Sequence, residues 1–205
     1  MKTLHDINEE LKALYGETSL DFTDKGAATG HSYIPFYSKY MDPKRDYATL
    51  LEVGISSGGG AYLWSKYFND CEIYTFDYHN TFASKCDFQQ ELLENSNVNI
   101  SFSKSSFDPS WAECFADESF DFIIDDGDHS LQGQTNTFLL YWSKIAVGGT
   151  YFIEDVQSEE TADRFVPALK QYLDAENFKY NIELYKGHRI AEGRLDDIII
   201  AITKL

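Results

Sequence analysis

The sequence predicts an α/β fold with a doubly wound, mostly parallel seven-stranded sheet that ends in a C-terminal β-hairpin. From residue 49 onward, strand-length apolar runs alternate with helix-length segments, a pattern typical of βαβ crossovers and parallel strands. The last two strand-like segments, residues 180–187 and 195–205, have only the turn "HRIAEG" between them. They are therefore expected to pair as an antiparallel hairpin. In folds of this class, ligands bind at the carboxyl ends of the strands.

The individual elements follow from the hydrophobic periodicity of the chain. A first helix over residues 5–15 places Ile7, Leu11 and Leu14 at helical spacing. Pro167 is expected to bend or interrupt the last helix. The remaining strands are predicted at residues 49–54, 72–77, 97–102, 120–125 and 150–156, and the helices at residues 61–68, 84–95, 109–117, 136–145 and 160–176.

Length and charge restrict the organisation of the protein and its partners. A chain of 205 residues suits one domain with a sizeable core. We predict a single domain over residues 1–205, with residues 1–45 as a helical arm or lid and residues 46–205 as the core. The net charge of −17 predicts a surface that repels nucleic acid and anionic membranes but tolerates cationic ligands and metal ions. We therefore expect neither nucleic acid nor a membrane as a partner.

The cysteines and the N-terminus favour a cytoplasmic protein. The chain has three cysteines, Cys71, Cys86 and Cys114, and no C-x-x-C motif. An odd number without this motif indicates neither a disulfide framework nor a zinc site. Reduced thiols of this kind are typical of the cytosol. The charged segment "MKTLHDINEELKALYG" lacks the apolar stretch of a signal peptide. The longest apolar runs, such as residues 198–202, are too short to cross a bilayer.

A glycine-rich turn follows the first predicted strand, in "LLEVGISSGGGAYLW". The spacing of Gly54, Gly58, Gly59 and Gly60 is neither the G-x-G-x-x-G of dinucleotide sites nor a phosphate loop, which disfavours NAD and ATP. Glycines at this point let the backbone approach a ligand closely. An E-x-G-x-x-x-G turn suits a ligand without phosphate, such as the amino-acid part of S-adenosylmethionine. Glu52 would meet its ammonium group directly or through water. A tight β/α turn without a ligand is the alternative.

An acidic residue, Asp77, ends the second predicted strand, 23 residues after Gly54. A carboxylate at this position of a doubly wound sheet is placed to accept hydrogen bonds from both hydroxyls of a ribose. It would also repel a 2′-phosphate. Together with the glycine turn, Asp77 favours a ligand that contains adenosine.

Carboxylates also follow the fourth and fifth predicted strands. Asp126 leaves the fourth strand, and Glu154 and Asp155 leave the fifth. Neighbouring strands lie about 4.8 Å apart, so both ends could hold one hard divalent cation, Mg²⁺ or Mn²⁺. Glu154 and Asp155 share an ion only if the strand is already turning, because adjacent strand residues point to opposite faces. A solvated acidic loop is the alternative, and we assign Asp125 and Asp128 to it.

His129 lies three residues after Asp126 in the same loop. An imidazole titrates near neutral pH and suits a general base. It would take the proton of a hydroxyl group that then attacks the sulfonium methyl of the donor. The alternative is that His129 caps the helix that follows.

Taken together, these segments resemble a known family. "FTDKGAATGHSYIPFYSKYM", "LLEVGISSGGGAYLWSKYF" and "EIYTFD" are similar to the T-D-K-G, H-x-Y and L-E-I-G-x-x-x-G-G motifs and the acidic strand end of macrocin O-methyltransferases. That family includes the mycinamicin sugar methyltransferases. "FDFIIDDGDH" and "YFIEDV" resemble its D-D-G-S-H and E-D motifs. The resemblance covers roughly residues 20 to 160, and the motifs are specific as a set.

The resemblance implies a Rossmann-like class I methyltransferase fold and methylation of sugar hydroxyls with S-adenosylmethionine and Mg²⁺. It assigns the metal to Asp126, Glu154 and Asp155, and the base to His129. The cofactor role falls on Glu52, Gly54, Gly58, Asp77, Asp108 and Lys25. Lys25 and His31 would cover the cofactor or acceptor, unless their segment is only a structural arm. The chain departs from the family at "KSSFDP", where only Asp108 of a G-D-Q-x-D motif remains, and at Gly133, where some relatives carry a second His.

The predicted function is therefore that of a metal-dependent O-methyltransferase. The expected acceptor is a hydroxyl group of a small polyol, in particular a saccharide. A homo-oligomer is compatible with this function. One rival is a glycosyltransferase that uses Asp126 and Asp128 as a D-x-D metal site, and another is a hydroxylase-like relative on the same scaffold. A non-catalytic module that binds S-adenosylmethionine is the third alternative.

Overall fold

The computed structural model describes residues 2–26 and 30–205. Residues 27–29, within the "TDKGAATGH" segment, lie outside the described residues. The chain divides into two units, Met1–Ser105 and Ser106–Leu205, and each unit is described by itself. The organisation as one methyltransferase domain with an N-terminal arm stays a prediction.

The first unit begins with two helices. Helix α1, Leu4–Tyr15, starts at a capping box in which Thr3 and Asp6 exchange hydrogen bonds between side chain and backbone. Such a box satisfies two of the amide groups that a helix N-terminus leaves without partners. The buried stripe of α1 consists of Leu4, Ile7 and Leu11, whereas Leu14 is 72% exposed. Leu14 stands at helical spacing with Ile7 and Leu11 but is not part of the buried face. Helix α2 spans Ile34–Met41.

Three parallel strands in the order β3-β2-β1 form the sheet of the first unit. They are β1, Ala48–Val53, β2, Cys71–Phe76, and β3, Val98–Ser101. Every residue of β1 except Thr49 is buried, as expected for a strand that is covered on both faces. Helices α3, Gly59–Tyr67, and α4, Gln89–Glu94, connect the strands.

Helix α4 is shorter than the helix predicted at residues 84–95. The chain before it is held by contacts outside the helix. Both Ser84 Oγ and Cys86 Sγ donate to the carbonyl of Leu20, and Gln89 Nε2 donates to the carbonyl of Ser84. These contacts compete with a helical backbone, so α4 begins only at Gln89.

The second unit carries four strands in the order β4-β5-β7-β6. Strands β4, Phe120–Asp125, and β5, Ile145–Ile153, are parallel, and β7, Ile198–Lys204, runs antiparallel to β5 and to β6, Tyr180–Lys186. The helices are α5, Pro109–Ala112, α6, Leu131–Tyr141, and α7, Glu159–Ala175. The sheet has seven strands in all. The predicted fold class, including the C-terminal antiparallel pair, is confirmed.

Some boundaries in the second unit differ from the prediction. Helix α6 begins at Leu131 rather than at residue 136, because the hydroxyl of Ser130 accepts from the amide of Gly133 and caps the helix. Helix α7 passes through Pro167 without interruption. Pro167 lies on the exposed side of α7, where water can satisfy the carbonyl that loses its helical donor. Within the described residues no helix is long and apolar enough to cross a membrane.

Candidate active site

The glycine-rich turn of the first unit leaves β1 in a left-handed conformation. Gly54 has φ +97° and Gly58 has φ +90°, values that residues with a Cβ atom seldom adopt. The amide of Ile55 donates to Oδ2 of Asp77 at 2.8 Å. The turn is thus tied directly to the end of β2.

The other two glycines of this turn are required by close neighbours within the protein. A Cβ atom on Gly59 would lie 1.6 Å from the carbonyl oxygen of Phe22, and one on Gly60 would lie 2.3 Å from Oε1 of Glu52. Gly59 therefore lets residues of the N-terminal segment cross the turn. Gly60 leaves room for the carboxylate of Glu52.

Glu52 forms a buried ion pair with Lys25. The Nζ of Lys25 lies 3.5 Å from Oε1 of Glu52, and the two side chains are 2% and 3% exposed. The indole Nε1 of Trp64 donates to the same oxygen at 3.2 Å. The carboxylate that was expected to meet the ammonium of a ligand thus already faces an ammonium of the protein. Two predicted cofactor residues come together here as partners of each other.

The carboxylate of Asp77 is held by two backbone amides. Its two oxygens accept one backbone amide each, from Ile55 and from His79, both at 2.8 Å. These bonds fix the orientation of the carboxylate. Each oxygen of an ionised carboxylate has a further lone pair, so Asp77 can still accept from two neighbouring hydroxyl groups. The hydrogen-bond acceptors of Asp77 and the glycine turn fit the adenosine portion of S-adenosylmethionine.

Two other candidates from the sequence have local structural roles. Asp108 is the N-cap of α5, and its Oδ1 accepts from the amide and the hydroxyl of Ser110 at 2.9 and 2.8 Å. The buried ring of His31 stacks on Tyr33 with 4.7 Å between ring centroids, and its Nε2 lies 3.9 Å from Oδ2 of Asp24.

In the second unit, β4 and β5 are neighbours, as the metal hypothesis requires. Asp125 pairs with Ile153 at the ends of the two strands, and the amide of Glu154 donates to the carbonyl of Asp125 at 3.0 Å. The chain then turns sharply, because Asp155 has φ +54°. The turn that Glu154 and Asp155 need in order to share an ion is therefore present.

Three predicted site residues converge beyond these strand ends. Asp126, His129 and Asp155 each offer one ligand atom, and these atoms lie within 4.8 Å of one another. The Nε2 of His129 is 3.9 Å from Oδ1 of Asp126 and 3.8 Å from Oδ2 of Asp155. Oxygen ligands lie about 2.1 Å from Mg²⁺, so opposite ligand atoms are about 4.2 Å apart. Two carboxylates at this spacing fit a hard divalent cation, and the imidazole lies beside them.

Glu154 is placed differently. Its side chain is buried, with 1% exposure of the residue, and it does not belong to the cluster of Asp126, His129 and Asp155 as far as the described residues extend. Its backbone has clear partners, since its amide donates to Asp125 and its carbonyl accepts from Gln134. The assignment of Glu154 as a metal ligand stays a prediction.

The assignment of Asp125 to a solvated loop is wrong. Asp125 is 1% exposed, and burial raises its pKa well above the usual value, with a smaller contribution from the charge of Asp126. The hydroxyl of Tyr151 lies 3.5 Å from its Oδ2. The signal in the sequence was the apolar run Phe122–Ile124 directly before Asp125, because a strand buried on both faces also buries its last side chain.

Asp128, by contrast, is exposed as expected, and it shapes the entry to α6. Its Oδ1 accepts from the amide of Ser130 at 2.9 Å. A Cβ atom on Gly133 would lie 2.5 Å from its Cγ, so the side chain of Asp128 occupies the space that a larger residue at position 133 would need. Asp128 is not part of the Asp126 cluster within the described residues, which disfavours a D-x-D metal site.

Comparison with known proteins gives the relationships of this chain. The family model described as "Methyltransferase domain" matches residues 51–156. Two curated relatives from Streptomyces olivaceus are 27% identical, over 138 and 136 residues. One is named 8-demethyl-8-alpha-L-rhamnosyl tetracenomycin-C 2'-O-methyltransferase and the other 8-demethyl-8-(2-methoxy-alpha-L-rhamnosyl)-tetracenomycin-C 3'-O-methyltransferase. Each match covers 62% of this chain, but only 34% and 32% of the relatives, so the chain spans about a third of their length.

Solved structures show the same fold. MycE methyltransferase from the mycinamycin biosynthetic pathway, in complex with Mg, SAH and mycinamycin VI, aligns with a TM-score of 0.67 at 19% identity, over 95% of this chain and 52% of that chain. A putative caffeoyl-CoA O-methyltransferase from Staphylococcus aureus aligns with a TM-score of 0.58 at 13% identity, over 100% and 93% of the two chains. The class I methyltransferase predicted from the sequence is confirmed, because the family match covers 51–156 and includes both the glycine turn and the acidic strand ends. The chain belongs to the methyltransferase-domain family.

Proposed function

We propose that this protein transfers a methyl group from S-adenosylmethionine to a hydroxyl group of a sugar, with the help of a divalent cation. The observation that carries the proposal is the convergence of Asp126, His129 and Asp155 within 4.8 Å, in a chain of the methyltransferase-domain family. Binding of a methyl donor accounts for the family match and for the glycine turn. A non-catalytic module that only binds the donor has no need of this cluster.

The first unit supplies the residues that would bind the donor. Asp77 would accept hydrogen bonds from the ribose hydroxyls, and the backbone of Gly54 and Gly58 would allow the donor to lie close to the turn. The ion pair of Glu52 and Lys25 would fix the end of β1 beneath it, and either side chain offers a charge for the amino-acid part. Asp108, in the second unit, is assigned to the adenine by the family motif alone.

The second unit supplies the residues that would activate the acceptor. Asp126 and Asp155 would hold Mg²⁺ or Mn²⁺, with Glu154 as the third ligand that the family resemblance assigns. When bound, such a cation stabilises the negative charge that develops on the acceptor oxygen. His129 would take the proton of the acceptor hydroxyl at Nε2, the nitrogen that faces both carboxylates. The nitrogen of a neutral imidazole can accept such a proton.

The acceptor is inferred from the named relatives. The curated relatives are named for rhamnosyl tetracenomycins, and a similar structure holds mycinamycin VI. We therefore infer a small molecule that carries a sugar, and the net charge of −17 disfavours polyanions such as nucleic acid. The reduced cysteines support a cytoplasmic location for this enzyme, and a homo-oligomer is compatible with it.

The test is methyl transfer by a His129→Ala variant to a panel of saccharides and sugar-bearing small molecules. We expect turnover to fall by roughly 10²–10⁴-fold, as for the loss of a general base, while calorimetry shows unchanged binding of S-adenosylhomocysteine. His5→Ala, at an exposed position of α1, is the matched control. Transfer at the wild-type rate would show that the base is another residue. Absence of S-adenosylhomocysteine binding by the wild-type protein would contradict the donor assignment.

A further inference from the structure

Gln134 is a buried polar residue that the proposed reaction does not use. It lies in the first half of α6 and is 1% exposed. Its Nε2 donates to the backbone carbonyl of Glu154 at 2.7 Å. A buried amide of this kind is costly unless it is hydrogen-bonded, so the bond to Glu154 determines how Gln134 is oriented.

The partner of Gln134 is the residue at which β5 ends. The amide of Glu154 donates to the carbonyl of Asp125 at 3.0 Å, so the backbone of Glu154 is bound at both of its polar groups. The next residue, Asp155, has φ +54°. A residue with a Cβ atom keeps such a conformation only when its surroundings impose it. The two bonds to Glu154 hold the chain immediately before this turn.

The opposite end of the contact is fixed beside His129. Ser130, the residue after His129, caps α6 through the amide of Gly133, and Asp128 accepts from the amide of Ser130. Gln134 lies one helical turn after this cap, and its own amide donates to the carbonyl of Ser130 at 2.9 Å. The loop that carries His129 and the first turn of α6 are thus one connected structure.

The bond from Gln134 to Glu154 therefore joins the loop after β4 to the turn after β5. His129 belongs to the first, and Asp155 belongs to the second. Their side chains meet at 3.8 Å between Nε2 and Oδ2, and Asp126 completes the cluster. If the loop after β4 moves relative to the turn after β5, the spacing of the ligand atoms changes. This spacing sets the affinity for a cation.

We propose that Gln134 is a positioning residue that sets the spacing between Asp155 and the pair Asp126 and His129, and so the affinity of the site for a divalent cation. This inference rests on the proposed function, since it takes the cluster to be the cation site. Gln134 does not touch the cation or the acceptor in this role. It acts through the backbone of Glu154.

The experiment compares Mn²⁺ binding by the wild-type protein and by Gln134→Met, measured by electron paramagnetic resonance and calorimetry. Met has a similar volume but no donor for the Glu154 carbonyl. We expect binding of Mn²⁺ to weaken by about tenfold or more, as when a hydrogen bond that orients a ligand is lost. Binding of S-adenosylhomocysteine should be unchanged, because the bond of Gln134 goes to Glu154, a residue with no assigned role in binding the donor. If Gln134 acted only in folding, its substitution would weaken the binding of Mn²⁺ and of S-adenosylhomocysteine together.

The matched control is Thr137→Val, on the same helix and equally buried, which should leave the affinity for Mn²⁺ as in the wild-type protein. Gln134→Asn is the second variant and guards against a failure of the Met variant to fold. It keeps the amide but is one methylene too short to reach Glu154, so it should weaken Mn²⁺ binding as well. Wild-type affinity in a folded Gln134 variant overturns the role of Gln134 alone. Absence of Mn²⁺ binding by the wild-type protein overturns the cation site, and this inference with it.

Discussion

The ammonium of Lys25 lies 3.5 Å from the carboxylate of Glu52, and both side chains are almost fully buried. Taking two charges out of water is costly, and their attraction offsets this cost only while both are present. The pair connects Lys25 to the end of β1. Lys25 is therefore part of the folded structure of the first unit as well as a candidate for ligand binding.

Lys25→Met should destabilise the protein by about 3–5 kcal/mol, because it removes the cation that faces the buried charge of Glu52. Urea unfolding measures the change. The double variant Lys25→Met/Glu52→Gln should recover most of the loss, since it removes both charges. If Lys25→Met is as stable as the wild-type protein, the buried ion pair contributes little to the free energy of unfolding.

Gly59→Ala should destabilise the first unit because its Cβ would collide with the backbone of Phe22, 1.6 Å away. The control is Gly193→Ala. No atom lies within 4 Å of the Cβ position there, although φ is +96°, so only the conformational cost of about 1–2 kcal/mol applies. Thermal unfolding should therefore show a larger decrease in Tm for Gly59→Ala. Equal decreases would contradict the close approach of the N-terminal segment.

Asp126→Asn and Asp155→Asn should each weaken the activation of methyl transfer by Mg²⁺, by about tenfold or more. The loss of a negative charge lowers the attraction for the cation directly. Asp128→Asn is the control, because Asn can still accept from the amide of Ser130 and preserve the entry to α6. Titration of activity with Mg²⁺ after treatment with EDTA measures the effect. If Asp128→Asn is as impaired as Asp126→Asn, the D-x-D interpretation regains support.

Asp6 provides a test of the pH dependence of stability. The backbone amide of Thr3, followed by its hydroxyl, lowers the pKa of Asp6 below the ordinary value of 3.8. A pKa that is lower in the folded state adds stability above the unfolded-state value, and this stability is lost as the pH falls through the folded value. The stability difference between wild type and Asp6→Ala should therefore be larger near about pH 7 than near about pH 3. A difference independent of pH would contradict the charged capping box.

The sequence predicted most of the strands because their signals are local. The apolar residues within β1 and β4 indicate strands that are largely buried, and the connection between β6 and β7 without an α-helix favours an antiparallel pair. Helix ends were predicted less well. The early start of α6 depends on the side chain of Ser130, and the late start of α4 depends on contacts to Leu20, which is distant in sequence.

The sequence by itself determined the fold class, the strand ends that carry carboxylates and the family, because chain order and periodicity place these residues at the carboxyl ends of parallel strands. The tertiary structure decided which side chains meet. It paired Glu52 with Lys25, buried Asp125, and brought Asp155 together with His129 and Asp126. The direction of a side chain at the end of a strand depends on the backbone turn that follows. That turn is fixed by distant partners, such as the amide of Gln134, that no local pattern reveals.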